Sequence, residues 1–531
     1  MSTTNPTYIR ISEIGLCDFQ AFPGPDITAV QLLQNNRGKG LSLLLYGENG
    51  SGKSSLGRAL RDMLDHGSGK TDSFDNSRHT FSNPPCPKRS VILRFDDPNQ
   101  LPMEWKPALD DHTRHPLFDA MAKSRGWMDY RTLWDALEFG FSRDFADIFS
   151  ALTDTLLQDC LLPAVNNLTF GDLWRRIKDG ADRRPTTSRQ LDLLQSLQSD
   201  ITLFSTKLRT FLPLLQDRAN DLLKRFVPWT EISLSLDRPP VYSSSRRTHK
   251  FSTGTVSLKA TFKNEPLTRL DGFLNEARIT AIALSLFLAA MTLSTPPKLA
   301  DGTYFPRLLV LDDILISLDM AHRRPLLDVL NEHFTGWQVF LLTHDRAWYE
   351  MAKTQLTPGK WKFVEMFAVP FGPYEQPMVK GDVPHLERAR YFLTQGEVKA
   401  AAVHVRTQFE IILKDACREL SLKVVYVDDP KRWEANHFWE TLKAHWSSRV
   451  DLSKLKADVS HSLSWVLNPH SHSRPVAHIR REIDEAVDAV ARLEDEVLGE
   501  ISNRKAEMAK RAEEVAKKAA AAVPPGPDYQ I

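Results

Sequence analysis

Residues 47–55 read "GENGSGKSS" and follow directly on the apolar run "LSLLLY" (41–46). A run of that length, bounded by polar residues, predicts a buried strand, and residues 53–65 carry a helical pattern. The stretch therefore fits G-x-x-x-x-G-K-[ST] in the strand–loop–helix context that gives the pattern its meaning. Gly47, Gly50 and Gly52 let the backbone wrap a phosphate with its N–H groups, at a helix N-terminus that favours an anion. Lys53 is expected to reach the β- and γ-phosphates and Ser54 to help hold Mg²⁺. Glu48, Asn49, Ser51 and Ser55 complete the expected nucleotide-contacting loop.

Such a loop needs a partner on the same sheet. "RLLVLDD" (307–313) supplies one, an apolar strand with two carboxylates at its carboxyl end, where open α/β sheets bind ligands. Asp312 is expected to orient Mg²⁺ and Asp313 to polarise the attacking water. "SLD" (317–319) follows closely, and "WQVFLLTH" (337–344) reads as the next buried strand. It ends on His344, which is placed to bond a γ-phosphate or position the water. Between the two halves lies "FLNEARITAIALSLFLA" (273–289). Its polar knot, Asn275-Glu276-Ala277-Arg278, leads into a helix that is apolar on nearly every face and so must be buried.

The bulk composition sets the frame. A chain of 531 residues predicts two to four domains, and 25% charged with 42% hydrophobic residues is ordinary for a globular protein. A net charge of +1 gives no global basic field for nucleic acid, while a local basic groove stays open. The four cysteines lie far apart with no CxxC, which suits free thiols in a reducing cytosol better than a disulfide or zinc framework. "MSTTNPTYIR" lacks the apolar core of a signal peptide, and no run of about 18 uninterrupted apolar residues occurs. The expectation is a cytoplasmic protein without a membrane partner.

The expected fold class is α/β, a P-loop NTPase head with a mixed sheet and helices on both sides, plus a C-terminal all-α bundle. Residues 1–114 are read as the first half of the head, 115–227 as a helical insertion or short arm, and 228–372 as the second half. The Pro/Gly-bearing "VPFGPYEQPMVKGDVP" marks a boundary, 385–502 a helical bundle, and 503–531 a helix passing into a disordered tail. "SVILRF" (90–95) and "LPMEW" (101–105) predict a hairpin, and "EISLSLD" (231–237) and "TVSLKATF" (255–262) two more strands.

In this order Gly47–Ser54, Asp312-Asp313, Ser317–Asp319 and His344 resemble the head of an ABC-type ATPase, of the RecF/SMC-like group rather than the transporters. "YIRISEIGLCDFQAF" (8–22) resembles that group's first strand and adenine-proximal loop, and the likeness spans about residues 8–368. It implies ATP and Mg²⁺, ATP hydrolysis, and a homodimer, with higher oligomers as an extension, in which two nucleotides are sandwiched between heads. "LNEAR" (274–278) stands where an LSGGQ-like motif would contact the nucleotide held by the other subunit. Asn275 replaces its serine and the two glycines are lost; Asn275 would donate to a γ-phosphate oxygen and Arg278 would add positive charge. Asp313 stands where a longer glutamate is usual, which implies slow turnover, and Asp129 to Arg131 in "GWMDYR" stand near the place of a loop glutamine.

The helical region from 385 on resembles the HEPN group, whose active members are RNases with an R-x4–6-H motif. Here His470 and His472 follow Asn468, and Trp465 to Leu467 occupy the place of the arginine. Without that cation nothing stabilises the charge of a phosphorane, so the bundle reads better as a dimerisation or docking surface. A metal reading of His461, His470 and His472 rests on H-x-H alone. The functional expectation is an ATP-dependent dimer switch that controls a separate effector nuclease or toxin in prokaryotic anti-phage defence. The alternatives are a RecF-type repair ATPase that binds DNA, a ribonuclease toxin governed by its own ATPase head and so acting on RNA, and a scaffold that binds ATP and barely turns it over.

Overall fold

The computed structural model describes residues 8–33, 38–67, 78–81, 86–106, 118–137, 140–141, 145–165, 168–185, 190–244, 249–294, 307–315, 318, 320–357, 359–372, 374–381, 385–424, 435–463 and 480–521. The chain forms two compact units, Met1–Asp382 and Val383–Ile531.

The first unit is α/β. Its central sheet has six strands in the order Tyr374–Gly381, Trp361–Phe371, Ser42–Gly47, Gln338–Thr343, Leu308–Asp312 and Arg125–Asp129. All neighbours are parallel except the edge hairpin of Trp361–Phe371 with Tyr374–Gly381, so the sheet is mixed. Parallel strands covered on both faces read as continuous apolar runs rather than alternating ones. Leu43, Leu45, Val310, Phe340 and Leu342 share one core with helix Lys53–Gly67 and a four-stranded antiparallel sheet. That sheet runs Thr28–Gln31, Ile11–Cys17, Ser90–Phe95, Met103–Trp105, the last pair being the hairpin expected from sequence. Leu44, Leu309, Leu311, Val339 and Leu341 face a second core that holds the helices Leu191–Phe226 and Glu276–Leu293.

A buried amide ties the two sheets together. Gln338 Oε1 accepts from the N–H of Ile11 at 2.8 Å, and Nε2 donates to the carbonyls of Ile11 and Leu41, each at 2.8 Å. A polar group in such a place is tolerated because its donors and acceptor are matched.

The apolar helix of the second core is enclosed from Thr280 to Met291 with no exposed side. By length and composition it would also span a membrane, but most of it is covered by the rest of the unit. It packs on helix Leu191–Phe226 and helix Tyr130–Leu137. Its far end meets the sheet at Gly126, where a Cβ would stand 2.6 Å from Met291 Sδ.

Two sequence expectations are corrected. The region read as a helical insertion, 115–227, contains the edge strand Arg125–Asp129 of the central sheet, a five-residue run too short for periodicity to separate from a helix. Helix Leu191–Phe226 was expected as part of a short arm, yet it is buried along one side from Leu194 to Phe226 and belongs to the core. The Pro/Gly-bearing stretch that marks a boundary in the sequence is largely the edge hairpin, where Pro377 is tolerated because an outermost strand has an unpaired side, and the division between the two units falls at its end, between Asp382 and Val383.

The second unit is all-α, with helices His385–Thr394, Val398–Glu419, Ala435–His445, Ser453–His461 and Arg480–Ala521. Phe409, Leu413, Trp439, Trp446, Val490 and Leu493 lie in its core. Both tryptophans are satisfied: Trp439 Nε1 donates to Ser460 Oγ at 3.1 Å and Trp446 Nε1 to Glu500 Oε2 at 2.6 Å. His461 closes helix Ser453–His461, whereas Trp465–Leu467, Asn468, His470 and His472 lie outside the described residues.

Candidate nucleotide site

The site forms at the carboxyl ends of three adjacent parallel strands, Ser42–Gly47, Gln338–Thr343 and Leu308–Asp312. Gly47 closes the first strand, and a Cβ there would lie 2.4 Å from Ser51 Oγ. Gly50 and Gly52 take φ of +85° and +92°, a region side chains rarely adopt, so the loop Glu48-Asn49-Gly50-Ser51-Gly52 can turn sharply onto Lys53. Lys53 begins helix Lys53–Gly67, and Ser54 and Ser55 lie in its first turn. The loop is seated by its neighbours: a side chain at Gly52 would strike Pro377 at 2.6 Å and lie 3.4 Å from Ala21.

Lys53 is 5% exposed, and its Nζ pairs with Asp313 Oδ2 at 2.5 Å. Asp313 turns out of the strand with φ +53°, a left-handed geometry that Asp tolerates better than most residues, while its N–H donates to the Leu342 carbonyl. Its other oxygen, Oδ1, accepts from the backbone N–H of His344 at 2.9 Å and meets His344 Nδ1 at 2.9 Å. An ionised carboxylate only accepts, so Nδ1 carries the proton and Nε2 is the nitrogen left for a ligand. The two expected catalytic residues, Asp313 and His344, are thus coupled to each other and to Lys53.

Asp312 lies one residue back, 7% exposed. The Ser54 hydroxyl lies beside its carboxyl, while its Oδ1 is buried without a hydrogen-bond partner. Burial first, then the charges of Asp313 and Asp129, push its carboxyl up to about 6 against the opposing effects of Lys53 and Ser54. A buried oxygen lacking a donor, beside a hydroxyl and a second carboxylate, fits a hard divalent cation with oxygen ligands. Asp312 and Ser54 would hold Mg²⁺, which when bound neutralises phosphate charge.

Asp129 reaches the same place, at the end of strand Arg125–Asp129 and in register with Asp312. Its Oδ1 accepts from the N–H of Thr132 at 2.7 Å and its Oδ2 faces Arg61 at 3.4 Å. Arg131 is exposed. One residue escaped the sequence reading: Arg323 shares a pocket of about 80 Å³ with Asp313, His344 and Asp345. Its guanidinium donates to the Leu318 carbonyl at 2.6 Å and pairs with Asp345 at 2.5 Å. Nothing in the motif spacing marks it, because it sits on helix Met320–His333 and meets the site only through the fold.

Asn275 and Arg278 serve their own helix. The Asn275 side chain caps Glu276–Leu293 by accepting from the Arg278 N–H at 3.0 Å. Arg278 donates to the Phe273 carbonyl at 2.6 Å and lies over the Phe273 ring at 4.0 Å. Among the described residues no hydrogen bond or ion pair joins either to the loop 47–55. Ser317 and Asp319 lie outside the described residues.

No protein-family model matches the chain, and no curated protein does. Solved structures similar to it include an Smc head bound to the C-winged helix domain of ScpA, 14% identical over 72% of this chain and 99% of that one, with a TM-score of 0.36. RecF bound to ATP is 11% identical over 72% and 100%, with a TM-score of 0.40. The SMC head domain of Thermotoga maritima is 11% identical over 70% and 98%, with a TM-score of 0.29. Likeness at this level assigns no residue and no activity.

Proposed function

We propose that the chain is an ATP-binding and -hydrolysing head of the RecF/SMC-like type that works as a nucleotide-dependent homodimer switch. The observation that carries this reading is the cluster at one sheet end. Lys53 is locked on Asp313, Asp313 on His344, and Asp312 lies beside Ser54 with one oxygen bare.

The Lys53–Asp313 pair is the resting arrangement of the site. Phosphate oxygens compete with Asp313 for the Lys53 ammonium, and a carboxylate released from Lys53 keeps its His344 contact and can accept a proton from water. Asp312 and Ser54 hold Mg²⁺, and His344 Nε2 is left to meet the γ-phosphate or the water. Because a lysine–carboxylate contact must be exchanged before the carboxylate works, turnover is slow.

In the switch, Asn275 and Arg278 belong to the half of the site that a second copy supplies. Asn275 is exposed at its cap, so its amide N–H₂ remains available to a neighbour while its oxygen holds the helix. The dimer state is passed to a separate effector, a nuclease or toxin, in cytoplasmic anti-phage defence; this last step rests on family resemblance. Calorimetric titration with Mg·ATP tests the core of the reading. Wild type binds, and Lys53→Ala loses binding at least 100-fold. Equal affinity in the two proteins would remove the nucleotide site.

A further inference from the structure

We propose that Cys17 and Cys86 form an oxidisable dithiol, a modification site that closes to a disulfide beside the phosphate loop. They stand 69 residues apart in the chain, with sulfurs 4.0 Å apart in the structure. Cys17 ends strand Ile11–Cys17, directly opposite Ser90 on the antiparallel strand Ser90–Phe95. The chain reaches Ser90 through a turn in which the Arg89 N–H donates to the Cys86 carbonyl at 3.1 Å, and this turn lays Cys86 over Cys17.

The arrangement is held by groups other than the thiols. Buried Asp18 accepts from the Cys86 N–H at 3.0 Å and faces the buried Arg89 guanidinium at 3.3 Å. At Gly24 a Cβ would come within 2.9 Å of both Cβ and Sγ of Cys86, so only the bare glycine leaves that side chain room against Cys17. A disulfide needs the sulfurs at about 2.05 Å, a closure of about 2 Å, the scale of a χ1 adjustment shared by two side chains. Cys160 and Cys417 are both buried, and among the described residues neither has a second sulfur beside it.

Accessibility orders the chemistry. Cys86 is half-buried and Cys17 fully buried. The Cys17 thiol is pushed up to about 12, by burial first and then by Cys86 beside it. The Cys86 thiolate attacks the O–O bond of a hydroperoxide, giving a sulfenic acid and one water (or alcohol). The Cys17 sulfur then attacks the Cys86 sulfur; the S–O bond breaks, and the hydroxide leaves with the Cys17 proton as water. Two thiols lose two hydrogens and two electrons, and the peroxide is the oxidant. With so little Cys17 thiolate at neutral pH, the second step is the slow one.

The bridge would fasten the turn that begins at Asp18 to the entry of Ser90–Phe95. Ala21 of that turn lies against Gly52, so oxidation stiffens a wall of the phosphate loop. The chemistry itself stands whether or not a nucleotide binds there. Its test is peptide mapping of the full-length protein after hydrogen peroxide treatment, digested without reductant. The expected product is a Cys17–Cys86 linked peptide that dithiothreitol cleaves, with Cys160 and Cys417 recovered as thiols. The oxidised protein should also melt at a higher temperature than the reduced one, a gain absent from Cys86→Ser. Recovery of Cys86 as sulfinic or sulfonic acid with Cys17 still a thiol would overturn the proposal. So would recovery of both thiols unmodified.

Discussion

At the scale of single residues, Asp312 makes a pH-dependent claim. Its carboxyl is raised to about 6, chiefly by burial, so the folded metal-free protein binds this proton more tightly than the unfolded chain. That contribution favours the fold below the usual carboxylate range and is progressively lost as pH rises through about 6. Mg²⁺ needs the ionised form, so the Mg²⁺ dependence of ATP binding should weaken as pH falls through about 6. In Asp312→Asn that dependence should be absent at every pH, and calorimetry across pH 5–8 with and without Mg²⁺ checks it. A second claim concerns Asp313. If it competes with phosphate for Lys53, Asp313→Asn should bind ATP more tightly, by about 10-fold for an exchanged ion pair, while hydrolysing none. Equilibrium binding beside a phosphate-release assay reads both. Motif and strand context place Lys53, Ser54 and Asp312 together before any fold is known, and the fold sets them at one end of the sheet. Arg323 was not legible, since a lone arginine on a helix carries no signal until tertiary packing brings it to His344. Asn275 and Arg278 are intermediate: the polar knot was visible, but their first tasks, a helix cap and a lid over Phe273, are local.

At the scale of elements, two buried polar residues hold the site's strands in place. Arg125 starts the edge strand and is enclosed by Asp65 of helix Lys53–Gly67 and by Asp159, at 3.6 Å from the latter. Arg125→Ala would leave buried Asp159 without its cation and Asp65 with only the more exposed Arg61 at 3.8 Å, and should cost about 3–5 kcal/mol, read from chemical unfolding. Gln338→Leu strips partners from the Ile11 N–H and from two carbonyls, and should cost about 2–4 kcal/mol with a native-like fold in circular dichroism. The strands Ser42–Gly47, Leu308–Asp312 and Gln338–Thr343 were legible because burial on both faces writes an unbroken apolar run. Arg125–Asp129 and the hairpin at 361–381 were not. The first is short and lies inside helical sequence, and the second carries prolines that an edge strand tolerates and that stand out in the sequence only as a boundary between units.

At the scale of the molecule, the claim is that a complete ATP site needs two copies of the chain. Within one copy the phosphate loop, Asp312, Asp313 and His344 converge, while Asn275 and Arg278 cap their own helix and leave the loop alone. Spacing within one chain cannot show this, since residues that meet across two subunits need share none; the expectation of a shared site comes from the resemblance at residues 274–278. The direct measurement is the molar mass of Asp313→Asn in size-exclusion chromatography with light scattering, with and without Mg·ATP. The account predicts that Mg·ATP doubles the mass of Asp313→Asn, and that adding Asn275→Ala and Arg278→Ala abolishes the doubling while ATP binding persists. A mass that ignores ATP, or a dimer indifferent to Asn275 and Arg278, would contradict it.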